Sequence, residues 1–109
     1  MKSSTAQKIV LEYGIQLRHK LGAEVRGIYL FGSHARNEAT AGSDMDVLVV
    51  VKDPFQYRSI HSSTAPISAE LSLKYDALIS TVIIGSNEWL AKKTPLTRSA
   101  QLDAIPEHA

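Results

Sequence analysis

Two carboxylates set two residues apart, Asp44 and Asp46, stand at the head of an apolar run, Val47-Leu48-Val49-Val50, with Ser43 just before them. Upstream, Gly32 and Ser33 follow a β-rich run that ends at Phe31, and Arg36 comes next after His34 and Ala35. At the start of a strand, residues i and i+2 share a face, with about 6 to 7 Å between their Cα atoms. Two ionised carboxylates about 6 Å apart repel by roughly 2 to 3 kcal/mol at an effective dielectric of 20. A divalent cation removes that cost, and an all-oxygen donor set completed by phosphate oxygens suits Mg²⁺ rather than zinc or copper. Glycine after a strand lets the backbone approach a ligand closely, and the amides of a following helical turn point at anionic oxygens. Ser33 adds a hydroxyl donor and Arg36 a charge partner, so the Gly32 turn is a cradle for the outer phosphates of a triphosphate such as ATP. Ser43, Gly32, Ser33 and Arg36 are thus the expected nucleotide-binding residues, and Asp44 and Asp46 the expected metal ligands. A Gly-Ser turn or an Asp-x-Asp pair alone is more often structural than functional. Their conjunction, a strand and Gly-Ser turn followed after a loop by Ser-Asp-x-Asp entering an apolar strand, has few structural reasons to occur.

The elements that position these residues follow from periodicity. Ala6, Ile9, Val10, Tyr13, Leu17 and Leu21 recur at helical spacing after the possible N-caps Ser3, Ser4 and Thr5, and Gly22 can take the left-handed stop. This predicts an amphipathic helix of roughly 16 residues. Val25 to Phe31 reads as a strand, and Met45 to Val51 as one covered on both faces and therefore central. Lys52-Asp53-Pro54 turns the chain out. The segment to Leu73 is helical in tendency but is expected to restart near Pro66, with Thr64 as its N-cap. Tyr75 to Ile84 reads as a third strand. Ser86 or Asn87 is expected to cap a short helix through Trp89 to Lys93, and Thr94-Pro95 to open a last helix ended by Pro106. The whole, residues 1 to 109, is expected to be one α/β (α+β) domain, with a small mixed sheet and helices mainly on one face.

Composition narrows the classes. With 109 residues, about 65% of the unfolded surface can be buried, which supports a single core. There are no cysteines, which excludes disulfide staples, thiolate zinc sites and cysteine nucleophiles and suits a reducing compartment. The N-terminal stretch offers no continuous apolar signal core or membrane span, so a cytoplasmic location without membrane association is expected. The net charge of +1 conceals a gradient: six Lys/Arg against two Glu up to residue 37, and six against nine Asp/Glu after it. No clustered basic face of the kind that binds nucleic acid emerges. The four histidines lack metal-ligand spacing to one another, and Trp89 is expected to be a core anchor rather than a stacking platform.

The pattern resembles the nucleotidyltransferase superfamily with the DNA polymerase β-like fold, and within it the minimal, MNT-type antitoxin branch. Gly32, Ser33 and Arg36 match the Gly-Ser-x-x-Arg of that family, and Asp44 and Asp46 match its paired aspartates. Glu70 to Ser80, Trp89, Pro95 and Ala104-Ile105 also resemble the branch. Asn37 stands where a glycine commonly follows the arginine, and Ala104 where a glycine often precedes the last apolar residue. The resemblance implies Mg²⁺-dependent transfer of AMP from ATP to a hydroxyl, most naturally a tyrosine, on a helical HEPN-type toxin that this chain neutralises. It also implies a third carboxylate on a neighbouring strand, acting as general base and metal ligand. Asp76, read as opening the third strand, is the expected residue. Side chains at 76, 78 and 80 share a face, however, so a shift along the strand puts Ser80 there instead. Two other readings stay open: a catalytically weak antitoxin that works by occlusion, and a small-molecule nucleotidyltransferase, which normally needs a further domain over its acceptor.

Overall fold

Every residue of Met45–Val51 except Asp46 is buried, and this strand is the centre about which the molecule is built. In the computed structural model, which describes residues 3–31, 45–91 and 105–106, the order of elements is α1 (Ser3–Leu21), a 3₁₀ turn (Gly22–Glu24), β1 (Val25–Phe31), β2 (Met45–Val51), α2 (Tyr57–Tyr75), β3 (Ile79–Gly85), α3 (Ser86–Ala91) and β4 (Ile105–Pro106). The four strands form one mixed sheet in the order β3-β2-β1-β4. β1 runs antiparallel to β2 and β4, and β3 runs parallel to β2 through the α2 crossover.

Alternation along β2 divides the core. Met45, Val47, Val49 and Val51 face α1 and α2, where they pack with Ile9, Tyr13 and Leu17 of α1 and Ile67 and Leu71 of α2. Leu48 and Val50 point to the other side, where Tyr29, Val82, Ile84 and Trp89 close a smaller cluster. The helical layer is thus mainly on one face, with the short α3 on the other. β1 keeps its apolar residues in phase with both clusters only because of an irregularity: Val25 pairs with Val51 and Gly27 with Val50, so Arg26 is an extra, bulged residue.

The bounds of β1 and β2 are those read from the sequence, and Gly22 takes the left-handed stop with φ of 58°. α1 is longer than expected, at 19 residues. Three expectations are corrected. α2 does not restart at Pro66 but runs unbroken through it for 19 residues. Pro66 removes one donor from the ladder, and polar side chains serve carbonyls in that part of the helix: Lys20 donates to the Ser63 carbonyl at 3.3 Å and Thr64 to that of His61 at 3.2 Å. Thr64 is a buried helix-interior residue rather than an N-cap. The third strand begins at Ile79, not Tyr75, because α2 claims Tyr75 and stops on Asp76 in the left-handed conformation (φ 50°, ψ 52°). The N-terminus of α3 is capped from afar: Asp53 accepts from the Asn87 amide at 2.7 Å and from the Ser86 hydroxyl at 3.4 Å. The last helix expected from Thr94 lies outside the described residues, whereas Pro106 falls in an edge strand opposite Tyr29.

One polar cluster sits inside the larger core. The Tyr13 hydroxyl is 2.7 Å from Thr81 Oγ1 and 3.3 Å from Ser68 Oγ, and those two are 2.9 Å apart. Three hydroxyls can each donate once and accept once around such a ring, so α1, α2 and β3 are tied at one point without buried charge. Burial pushes the Tyr13 phenol above its ordinary value of 10.0. A phenol whose folded value is raised adds stability below the ordinary value and loses it as pH climbs through the folded one. Tyr13→Phe is expected to cost about 1 kcal/mol near neutrality, on the order of 5 °C in Tm, and to flatten the loss of stability above pH 10. Thermal melts of both proteins between pH 7 and pH 11 measure both effects.

Candidate functional site

Chain direction and register bring Phe31, Asp46 and Ser80 to one end of the sheet. Asp46 lies opposite Phe31 on β1 and Ser80 on β3. β1 ends at Phe31, immediately ahead of the Gly32-Ser33 turn, while β2 and β3 begin at that same end. Asp46 and Ser80 fall in the alternation with Leu48 and Val50 and with Val82 and Ile84, on the face away from α1 and α2. Both are half-buried. Gly32, Ser33, Arg36, Ser43 and Asp44 lie outside the described residues, so the phosphate cradle and the first aspartate of the pair remain expectations of the sequence.

Asp76 is not where the sequence reading put it. It is an exposed C-cap of α2, and its amide donates to the carbonyl of Ser72. The Ala77 amide bonds the same carbonyl at 3.1 Å, and the Ile79 amide reaches Ser72 Oγ at 3.3 Å. The Met45 amide in turn donates to the Leu78 carbonyl at 2.9 Å, which fixes the start of β2 against the approach to β3. These bonds consume the residues between helix and strand, so β3 enters the sheet with Ser80, not Asp76, beside Asp46. Asparagine and aspartate tolerate left-handed angles better than other side-chain-bearing residues, which gives Asp76 a conformational reason to be where it is.

The donors around Asp46 are hard oxygens, a carboxylate with a neighbouring hydroxyl in register, and they fit Mg²⁺ in kind. Among the described residues no three His, Cys, Asp or Glu side chains gather into a metal site. A cation at Asp46 therefore needs further oxygens from outside the described residues.

Residues 15–100 match the model of the nucleotidyltransferase domain family. The chain belongs to that family. Curated relatives include proteins of Methanocaldococcus jannaschii that carry the name "Putative protein adenylyltransferase". One is 33% identical over 80% of each chain, and another 34% identical over 70% of this chain and 76% of its own. The nucleotidyltransferase fold also appears among solved structures. A chain from a toxin-antitoxin crystallised with AMP-PNP superposes with a TM-score of 0.61 at 18% identity, covering 89% of this chain and 71% of that one. A chain from the tri-AMPylated Shewanella oneidensis HEPN toxin in complex with MNT antitoxin gives 0.54 at 16% identity, over 93% and 71%. The minimal nucleotidyltransferase likeness and the mixed-sheet fold expected from the sequence are both found.

The register leads to a contrast between two substitutions of Asp76. Asp76→Asn is expected to leave both stability and nucleotide binding nearly unchanged, since asparagine keeps the left-handed stop. Asp76→Val should cost about 1 to 2 kcal/mol, because a β-branched residue resists that conformation. Denaturant melts with ATP titrations in Mg²⁺ read both. A large loss of transfer in folded Asp76→Asn would assign the residue a part in the mechanism.

Proposed function

We propose that this nucleotidyltransferase domain moves AMP from ATP to a hydroxyl, a tyrosine in the leading reading, of a helical HEPN-type toxin, and so acts as its antitoxin. The observation that supports the reading is the register that sets Asp46 opposite Phe31, the last residue of β1, which Gly32-Ser33 directly follows in the sequence. The adenylyltransferase names of the relatives and the toxin complexes among the fold neighbours support it.

In this mechanism the Gly32 turn, Ser33, Arg36 and Ser43 hold the triphosphate, and Asp44 and Asp46 anchor its metal-bearing end. Bound Mg²⁺ supplies Lewis-acid stabilisation of charge on the phosphates. The acceptor oxygen forms a bond to the α-phosphorus, the bond to pyrophosphate breaks and pyrophosphate is released, and the acceptor proton passes to solvent water. This chain's contribution is positioning, which converts an encounter in solution into an aligned one. The expected general base, Asp76, has left the strand, and the serine beside Asp46 is a poor base. That observation favours a second reading, in which the chain binds nucleotide and partner, transfers slowly, and neutralises chiefly by occlusion.

The two readings separate in one experiment. The purified chain, ATP, Mg²⁺ and the product of the adjacent gene are incubated, and that product is weighed intact. The transferase reading expects additions of one or more AMP units that fall about 10²-fold or more in rate with Asp46→Asn. A stable complex with no addition installs occlusion in its place.

A further inference from the structure

On the Asp46 face of the sheet, but at the opposite end of β2, a cleft of about 520 Å³ opens between α3 and the strands. Val50 is four positions along β2 from Asp46, so the cleft begins about 13 Å from that carboxylate and extends farther, past Lys52. Its volume falls in the range of small-ligand pockets.

Its lining is built by three local devices. The bulge at Arg26 places an extra residue on β1 there, and bulges commonly re-aim a side chain in this manner. Gly27 leaves room for the Tyr29 ring: a Cβ at that position would meet the ring at 2.7 Å. The ring is thereby laid against the strand, where it meets Trp89 with 4.8 Å between centroids and 31° between planes. The result is an aromatic wall continued by Leu90, which is 75% exposed.

The charges are unequal in their commitments. Asp53, the carboxylate of the cleft, is held by the Asn87 amide and the Ser86 hydroxyl as the cap of α3. Arg26 and Lys52 line the same cleft, and neither side chain makes an ion pair among the described residues. Two uncommitted cations beside an aromatic and apolar wall fit a ligand with a planar face and an anionic group. We propose that this cleft binds a nucleoside monophosphate, with the base against Trp89 and the phosphate between Arg26 and Lys52, independently of metal and separately from the Asp46 site.

Trp89 is the one tryptophan in the chain, so its emission reports on the cleft. AMP is titrated into the chain in EDTA, into the Asp46→Asn variant, and into an Arg26→Gln/Lys52→Gln double variant. Emission is followed together with the indole N–H resonance in NMR spectra. A saturable change is expected in the first two, about tenfold weaker in the third, since a charge-assisted hydrogen bond is worth that much or more. Adenosine and inorganic phosphate should each bind more weakly than AMP. The proposal is overturned if neither signal saturates at millimolar AMP, if the response requires Mg²⁺ or Asp46, or if removing both cations leaves the affinity unchanged.

Discussion

The burial of β2 on both faces is the constraint from which the remaining structure follows. A strand with no solvated side must have a layer on each, and β2 recruits α1 and α2 to one and α3 with the aromatic pair to the other. Its single half-exposed residue, Asp46, can then sit only at the end where the layers part. The half-buried carboxylate thus stands where the core stops.

Neighbouring strands inherit their positions from that centre. The hydroxyl ring of Tyr13, Ser68 and Thr81 pins β3 to both long helices one residue after Ser80, so the register at the site is held from the helical side of the sheet. Because the ring carries no charge, it asks for no counter-ion in the interior and is indifferent to acid. The turn around Ser72 holds the same register from the loop side.

Much of this was legible in the residues because burial writes itself into composition. The bounds of β1 and β2 agree with the reading of the residues, since short runs rich in β-branched, aromatic and aliphatic residues favour strands, and Asp46 stands out as the charge in an otherwise apolar β2. The boundary between α2 and β3 was misread because the stop signal is an aspartate in a conformation usually given to glycine, and because Tyr75 suits a strand as well as a helix. Pro66 was read as a break, whereas a ladder already interlaced with serine and threonine hydroxyls and reached by Lys20 tolerates the missing donor. Ser80 beside Asp46 and Asp53 on α3 are tertiary facts. The first depends on how many residues a turn consumes, and the second joins positions 34 apart in the chain.

β3 lies at the rim of the sheet, paired on one side among the described residues, and its sequence Ile-Ser-Thr-Val-Ile-Ile-Gly contains neither a charge nor a proline. Sheets usually guard such a rim with lysine, proline or a twist, since open amides and carbonyls accept any extended chain that drifts alongside. Here the register that serves the site leaves the rim plain. An extended segment laid along β3 would meet no charge or proline on that strand, and a net charge of only +1 supplies little long-range repulsion between copies.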